Sequence, residues 1–153
     1  MKPMFAAAAA AALLLPLSAQ AAVKHFPPGI NLPGGAAPPF SASVLAGDTL
    51  YVSGTTDGTN PATGKAPEDA KTGAKVVLDN IKKTVEAAGL TMDDLVWVQI
   101  FTSDLKYYAD FNEVYRTYFT GPMPARAFIG AGSLLGGAHF EVMGIAVKPS
   151  PAK

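Results

Sequence analysis

The sequence predicts a single α+β domain, a sandwich in which a mixed β-sheet carries two helices on one face, in the order β-β-α-β-α-β-β. Three observations lead to this fold class. Two stretches have the apolar spacing of amphipathic helices, several short runs are rich in β-branched and aromatic residues, and glycine- and proline-rich segments separate them. The 153 residues suit one domain, and no internal repeat is present.

The first 21 residues differ from the rest of the chain and have the layout of a secretory signal peptide. One lysine precedes an apolar run from Met4 to Leu15, and the segment ends in the small-x-small triplet Ala19-Gln20-Ala21. The run is short for a membrane span, so an uncleaved anchor is the less favoured alternative. We expect cleavage after Ala21 and export to the periplasm, with no membrane association of the mature chain.

Composition narrows the classes of function. The chain has no cysteine, and therefore no thiol nucleophile, thiolate ligand or disulfide. Its only histidines are His25 and His139, so we expect no metal site. The formal net charge is zero with neutral histidines and no basic cluster is present, so we expect no nucleic-acid partner.

The N-terminal half of the mature chain begins with a segment rich in proline and glycine. We interpret residues 22–39, which include "VKHFPPGINLPGGAAPP", as an exposed, irregular arm, and residues 40–149 as the folded domain. The β-prone runs Phe40–Leu45 and Thr49–Ser53 flank Gly47-Asp48, which predicts a hairpin. The stretch "TTDGTNPATGK" that follows has the composition of a loop.

The clearest element is a helix within "APEDAKTGAKVVLDNIKKTVEAAG". Asp69 and the residues before it suit a helix start, and Gly89 suits the position just after the helix end. Gly73 lies inside the helix, where glycine is unfavourable by ~1 kcal/mol against alanine, and we interpret it as a point of close packing. The apolar positions fall on one helical face: Ala70, Ala74, Val77, Leu78, Ile81, Val85 and Ala88.

The second half of the chain supplies the rest of the sheet and the second helix. The run "LVWVQIFTS" is apolar on both faces and predicts a central strand. Apolar spacing predicts a helix near Tyr108–Phe119, and "ARAFIGAGSL" and "AHFEVMGIAVKP" predict the last two strands, joined near Gly136-Gly137. Because the final strand is apolar on both faces and the two helices cover only one, we expect oligomerisation through the other face.

Two charged residues stand out as candidates for chemistry. Arg126, in "PMPARAFIGAG", has Glu113 and Glu141 as its nearest acids along the chain. Such an arginine can have a structural role, in which it reaches solvent, caps carbonyl groups or pairs with an acid of another subunit. Alternatively, it can bind a ligand carboxylate through two hydrogen bonds. Glu141 shares a strand row with Met143 and Ile145, where a carboxylate could act as a general acid or base, or form an intersubunit salt bridge.

Several polar residues are weaker candidates. Gly54, in "YVSGTT", would let a ligand approach the backbone, or simply form a turn. Ser53 is a poor nucleophile candidate, because neither histidine has an evident acid to orient it. Asn112 could bind a ligand, a loop or solvent, and His139 is expected on the same strand face as Glu141.

Taken together, these stretches resemble the RidA family, also called YjgF/UK-type, of reactive intermediate deaminases. The resemblance runs from about Pro39 to Val147, nearly the whole mature chain. It is carried by "LAGDTLYVSG", "NPATGK", "LDNIKKTVEAAGLTMDDLVWVQIFTSDL", "FNEVYRTYF", "PARAFI" and "FEVMGIAV", in that order. The resemblance implies a chorismate-mutase-like fold and a homotrimer with three clefts between subunits.

The resemblance also implies a reaction. Members of this family hydrolyse 2-imino or 2-enamino acids to 2-keto acids and ammonium without a cofactor. By resemblance, Arg126 binds the substrate carboxylate, Glu141 positions the hydrolytic water, and Ser53, Gly54 and Asn112 line the cleft. An iminium carbon is already electrophilic, so orientation and charge stabilisation suffice and no nucleophilic side chain is needed.

Two positions depart from the family pattern. Phe40 stands where the family often has a tyrosine, and Phe128 stands where it often has a small residue or cysteine. Both are expected to contact substrate, Phe128 from the same strand face as Arg126. Two alternative functions follow: a non-catalytic trimeric module that binds small carboxylates or acts like a chaperone, and hydrolysis of a different carboxylated substrate in the same cleft.

Overall fold

The structure is a computed structural model that describes residues 22–30, 33–58 and 65–150. The predicted signal peptide, residues 1–21, and most of the "TTDGTNPATGK" loop lie outside the described residues. Among the residues that are described, no helix is both long enough and apolar enough to cross a bilayer.

The fold is the predicted α+β sandwich, with a mixed six-stranded sheet and two helices on one face. The spatial order of the strands is β1-β2-β3-β6-β4-β5, and the neighbouring strands are antiparallel except for the parallel pair β4 and β5. The elements are β1 (Val23–Phe26), β2 (Ser43–Ala46), β3 (Thr49–Thr56), α1 (Ala70–Ala87), β4 (Leu95–Thr102), α2 (Tyr108–Tyr115), β5 (Ala125–Gly130) and β6 (Phe140–Val147).

The interpretation of residues 22–39 as wholly irregular is wrong at its N-terminal end. Val23–Phe26 forms β1, which pairs antiparallel with β2 in the register Val23 with Ala46 and Phe26 with Ser43. Residues 23–26 precede the first proline of the arm, so all four keep the backbone N–H groups that an edge strand needs. The prolines that follow end the strand.

Helix α1 forms as predicted. Asp69 is its N-cap, and the Asp69 carboxylate accepts a hydrogen bond of 2.8 Å from the backbone N–H of Thr72. Gly89 follows the C-cap with φ +78°, a conformation that glycine adopts without strain. The buried face differs from the predicted stripe at two positions, because Gly73 is buried and Ala88 follows the end of the helix. It consists of Ala70, Gly73, Ala74, Val77, Leu78, Ile81 and Val85.

Helix α2 lies where the second helix was predicted but is shorter. It spans Tyr108–Tyr115, and a 3-10 turn, Arg116–Tyr118, replaces its predicted last turn. Tighter final turns of this kind are common at helix ends. Phe111 and Tyr115 are its buried residues, so the helix is anchored to the sheet by aromatic rings.

The sheet has one face under the helices and one that no described element of this chain covers. In β6, Phe140, Val142 and Ala146 are buried, whereas the alternating residues are only half-buried. Cross-strand register places these β6 residues on one surface with residues of β3, β4 and β5. This surface, the open face, contains Tyr51, Trp97, Gln99, Phe101, Ala127, Ile129, Glu141, Met143 and Ile145. The open face is largely apolar, as expected for a surface that a partner would cover.

Candidate functional site

Arg126 lies on the helix-covered side of the sheet, at the edge strand β5. Its register partner in β4 is Val98, which is almost fully buried beneath the helices. Because β5 has no neighbour on its other side, the Arg126 side chain is only half-buried and lies between the sheet edge and α2.

An amide and aromatic rings hold the Arg126 guanidinium. Nη1 donates a hydrogen bond of 2.7 Å to Oδ1 of Asn112. The guanidinium carbon lies 4.8 Å from the ring centroid of Tyr115, 5.8 Å from that of Tyr108 and 5.9 Å from that of Phe128. Among the described residues, no carboxylate lies within ion-pair distance of Arg126. The charge is therefore held in place without being neutralised.

Arg126 opens on a cleft of about 220 Å³, here called the arginine cleft, whose lining contains no Asp or Glu. Four of the lining residues, at positions 108, 112, 115 and 116, follow helical spacing and come from one side of α2 and the turn after it. The lining consists of Tyr108, Asn112, Tyr115, Arg116, Met123, Pro124 and Arg126.

Tyr115 is the most buried member of this lining. Its hydroxyl oxygen is inaccessible and has no hydrogen-bond partner among the described residues. Burial raises the pKa of Tyr115 to about 12, and the charge of Arg126 offsets part of that rise. The hydroxyl therefore stays protonated, and remains a potential donor, throughout the physiological pH range.

Phe128 packs into the aromatic layer under α2. Its ring meets that of Tyr108 edge-on at 5.0 Å and that of Phe111 at 5.5 Å. It lies on the same strand face as Arg126, as alternation predicts, and its register partner Ile100 is fully buried. Phe128 thus supports the guanidinium from the core side and is not part of the lining of the arginine cleft.

Glu141 lies on the open face, where it packs against the backbone of Gly54. An ideal Cβ placed on Gly54 would collide with Oε1 of Glu141 and stand 3.2 Å from its Cδ. Gly54 belongs to an irregular part of β3, where the register with β6 shifts between Val52 and Thr55. Ser53, beside it, donates a 2.7 Å hydrogen bond from Oγ to the carbonyl of Ser41.

The predicted site residues therefore form two separate groups within one chain. Arg126 and Asn112 lie on the helix-covered side of the sheet, whereas Ser53, Gly54 and Glu141 belong to β3 and β6 on the far side of β4. In the register of β4, Arg126 lies opposite Val98 and Glu141 lies opposite Phe101. Arg126 and Glu141 are therefore two strand spacings apart across the sheet and three residues apart along the strands, roughly 10 Å in each of these two directions. One small substrate cannot contact both within a single chain.

Phe40 lies in a different depression from Arg126. It is 50% exposed and lines a groove of about 540 Å³ formed mainly by the N-terminal arm, together with His25 and Ser41. His25 Nδ1 lies 3.1 Å from Oγ of Ser41, and the Ser41 carbonyl accepts the hydrogen bond from Ser53. Phe40 is thus connected, through Ser41, to the group that contains Ser53.

The expectation that His139 shares the face of Glu141 is wrong, and so is the expectation that neither histidine has an orienting acid. His139 Nδ1 lies 2.8 Å from Oδ2 of Asp57, a fully buried carboxylate that also accepts a 2.8 Å hydrogen bond from the backbone N–H of Phe140. His139 precedes β6, so the alternation of that strand does not govern its side chain. A Cβ on Gly73 would collide with Asp57 and come 3.1 Å from His139 Nδ1.

Sequence reasoning missed Tyr108, Tyr115, Arg116 and Asp57. The signal for the first three was their helical spacing with Asn112, but tyrosines at such spacing are equally typical of a core face. Asp57 is followed by glycine, which is typical of a loop, and no local pattern indicates a partner 82 residues away. Among the described residues, no group of three His, Asp or Glu side chains could hold a metal ion.

Comparison with known proteins places the chain among small α+β proteins of one family. The family model described as "Endoribonuclease L-PSP" matches residues 15–148. A RutC family protein from Sulfurisphaera tokodaii is 37% identical over 111 residues, which cover 72% of this chain and 88% of the relative.

Two solved structures illustrate the shared fold. Escherichia coli TdcF, solved with bound serine, is 32% identical with a TM-score of 0.69, over 74% of this chain and 91% of TdcF. A protein of the conserved Rid family from Yersinia pestis is 33% identical with a TM-score of 0.68, over 74% of this chain and 91% of the relative. The fold of such proteins is the chorismate-mutase-like sandwich that the sequence predicts.

Proposed function

Because the chain belongs to the endoribonuclease L-PSP family, which includes the RutC, YjgF and Rid proteins, we propose that it hydrolyses reactive 2-imino and 2-enamino acids to 2-keto acids and ammonium. Membership of this family supports a deaminase-like role on reactive intermediates at the level of the family. The substrate and the residue roles are the finer part of the proposal.

One observation carries the proposal: Arg126 is held in position but not neutralised. Its contacts to Asn112 and to aromatic rings fix the guanidinium without using a carboxylate. The free edge of a guanidinium can bind a carboxylate through two parallel charge-assisted hydrogen bonds. We assign this role to Arg126, with the carboxylate of the 2-imino acid as its ligand.

The second group of residues would reach the same substrate from a neighbouring subunit. Since Arg126 and Glu141 of one chain cannot share a small ligand, we propose a homotrimer in which Glu141 of the partner subunit faces Arg126 across the interface. The apolar open face supports burial against another copy. In this arrangement Phe40, Ser53 and Gly54 would come to the cleft together with Glu141 of the partner subunit. Asn112 holds Arg126 through its hydrogen bond, and Phe128 supports the guanidinium from the core side.

The reaction needs no group beyond these side chains. Glu141 takes a proton from water as the oxygen attacks the iminium carbon, which forms a carbinolamine. The same carboxyl returns that proton to the amine nitrogen, and the carbon–nitrogen bond then breaks to release ammonia. Glu141 takes the hydroxyl proton as the carbonyl forms and passes it to the ammonia, which becomes ammonium. Arg126 keeps the substrate carboxylate fixed throughout, so the reacting carbon stays in line with the water.

We also propose that the protein is exported, with cleavage after Ala21, on the signal-peptide layout alone. Its substrate would then be an imine formed or released outside the cytosol. The intact mass of the protein purified from the periplasm tests this: cleavage removes residues 1–21, whereas a full-length mass contradicts the proposal.

The test of function is ammonium release from imino acids generated in situ by an amino-acid oxidase. We expect wild-type protein to accelerate release and Arg126→Ala to abolish the acceleration. Glu141→Gln should lose turnover but retain binding of a stable 2-keto acid. Lys83→Gln, at an exposed position of α1, is the control for loss of one positive charge. Absence of acceleration by folded wild-type protein with several imino acids would contradict the proposal.

A second candidate is a non-catalytic module that binds small carboxylates. It is favoured by the arginine cleft itself, which contains Arg126 and Asn112 within one chain and does not need Glu141. The TdcF structure was solved with serine, a small carboxylate. For this function, 2-keto acid binding depends on Arg126, turnover is absent, and Glu141→Gln has no effect.

The family description also raises RNA cleavage. This chain has a formal net charge of zero, and phosphate-backbone binding depends on clustered positive charge. The described histidines do not lie with Arg126 either: His139 is bonded to Asp57, and His25 lies beside Ser41. We therefore propose deaminase activity in preference to RNA cleavage. Incubation with single-stranded RNA at low salt tests this preference, and we expect no cleavage of the RNA.

A further inference from the structure

We propose that the arginine cleft selects substrates with two carboxylates, namely four- or five-carbon 2-imino dicarboxylic acids; this inference rests on the proposed deaminase function. The whole sequence contains two arginines, Arg116 and Arg126, and both line this one cleft. A monocarboxylic substrate needs one of them. The second guanidinium would bind the carboxylate at the far end of the substrate.

The fold brings the two guanidinium groups to the cleft from different elements. Arg126 comes from β5, and Arg116 begins the 3-10 turn that follows α2. Asn112, which bonds Arg126, lies one helical turn before Arg116, and residues so spaced are neighbours on a helix surface, about 5–6 Å apart at Cβ. Arg116 therefore lies about one turn further along the cleft than the group that anchors Arg126.

The charge of Arg116 is not used elsewhere among the described residues. It takes part in no ion pair there, and the nearest acid along the chain, Glu113, bonds instead to Lys71 at 2.8 Å. The cleft lining supplies no carboxylate. Both arginines are thus available to ligand anions.

Charge balance favours a dicarboxylic substrate in the reacting state. The reactive imine is protonated, so a monocarboxylic iminium acid is neutral overall and a dicarboxylic one carries a single negative charge. Two guanidinium groups facing one carboxylate, Glu141 of the partner subunit, leave one positive charge in the assembled site. Only the dicarboxylic substrate cancels that charge, and electrostatic complementarity of this kind discriminates between ligands.

The hydroxyl of Tyr115 is an independent indication of a polar ligand. Tyr115 is 3% exposed and lines the cleft, and its hydroxyl has no partner among the described residues. Buried polar groups are normally hydrogen-bonded. A ligand carboxylate bound between the two arginines would supply an acceptor within the same cleft, after a small adjustment of the ring.

The test compares substrates that differ by one carboxylate. Imines are generated in situ from aspartate or glutamate on one side, and from alanine or 2-aminobutyrate on the other. We expect wild-type kcat/KM to be at least tenfold higher for the dicarboxylic imines, since one charge-assisted hydrogen bond is worth about that factor. Arg116→Gln should reduce this ratio about tenfold, Arg116→Lys should reduce it less, and the control Lys83→Gln should leave it unchanged.

Binding of unreactive analogues separates this inference from the proposed function. Calorimetry with 2-oxoglutarate and 2-oxobutanoate should show tighter binding of the dicarboxylate, with the difference lost in Arg116→Gln. Equal turnover and equal binding of both classes would overturn the inference while leaving the deaminase intact. No turnover of either class, together with Arg116-dependent preference for 2-oxoglutarate, would remove the deaminase but retain the dianion site.

Discussion

The Glu141 carboxylate occupies the space that a side chain on Gly54 would need. A Cβ there would collide with Oε1 of Glu141, so the absence of a side chain at Gly54 is what allows the carboxylate to lie against β3. The two residues belong to neighbouring strands, β3 and β6, beside the point where their register shifts. The position of the proposed general base thus depends on a glycine.

Gly54→Ala should therefore displace Glu141 and lower kcat. A shift of about 1 Å at a reacting group can cost about 100-fold, so we expect a loss of 10- to 100-fold with little change in 2-keto acid binding. Gly121→Ala is the matched control, because its added Cβ would meet only Asp93 at an ordinary 3.9 Å. Unchanged kcat in Gly54→Ala, measured by ammonium release, would show that Glu141 does not act on the water.

Asn112→Ala should weaken substrate binding more than it slows the chemical step. The 2.7 Å hydrogen bond from Arg126 orients the guanidinium, and loss of one such bond is worth about 1 kcal/mol, or about fivefold in KM. Asn80→Ala, in α1, is the control because the Asn80 side chain makes a long contact of 3.5 Å to Thr55. A fall in kcat at constant KM would instead indicate that Asn112 stabilises the transition state and not the bound substrate.

Gly73→Ala should destabilise the fold although alanine favours helices. The gain of ~1 kcal/mol in propensity is opposed by a collision with the buried Asp57–His139 pair. Overpacking of this kind costs about 1–3 kcal/mol, so we expect a net loss of up to about 2 kcal/mol in unfolding free energy. Urea denaturation measures it, with Lys83→Ala as control in the same helix. A stabilised Gly73→Ala protein would show that the pair can move aside.

Tyr115 should make the protein sensitive to alkali. Burial raises its pKa from 10.0 to about 12, partly offset by Arg126, so the folded state holds the proton more tightly than the unfolded chain. This contribution to stability is complete below pH 10 and is lost as the pH rises to about 12. Burial and the hydrogen bond to Asp79 also raise the pKa of Tyr118, which adds to the effect.

Tyr115→Phe should accordingly lose less stability than wild type between pH 10 and 12. Melting temperatures across that range measure the difference, and Tyr108→Phe, at a half-exposed position, is the control. Parallel loss of stability in wild type and Tyr115→Phe would mean that Tyr115 ionises freely in the folded protein.

Ile145→Asp should disrupt the proposed trimer. Ile145 lies on the open face opposite Tyr51 and Trp97, so a carboxylate there would be buried unpaired in an apolar interface. Sedimentation should show smaller species for Ile145→Asp and unchanged assembly for Thr117→Asp, which alters an exposed residue beyond α2. A wild-type protein that sediments as a monomer would contradict the prediction itself.

Local patterns predicted most of the fold. Helix α1 follows from apolar spacing, an aspartate cap and a terminal glycine, all of which act within a few residues. Strand β4 follows from a run apolar on both faces, and its place between β6 and β5 agrees with that composition. Such features need no knowledge of distant neighbours.

The errors lie where distant partners decide the outcome. Val23–Phe26 is a strand because the edge of β2 is available to it, and nothing within "VKHF" indicates that edge. His139 turns away from Glu141 because Asp57, 82 residues earlier in the chain, holds its ring. In both cases a tertiary contact overrode a reasonable local expectation.

The sequence by itself determined the fold class, the family and the individual candidates, including Arg126 and Glu141, because these depend on residue type and spacing along the chain. Only the tertiary structure decided which candidates meet. Register and sheet order put Arg126 with Asn112 and Arg116 on the helix-covered side of the sheet, and Glu141 with Gly54 on the open face. The physical reason is that the direction of a side chain on a strand is set by pairing with other strands, which a one-dimensional pattern does not contain.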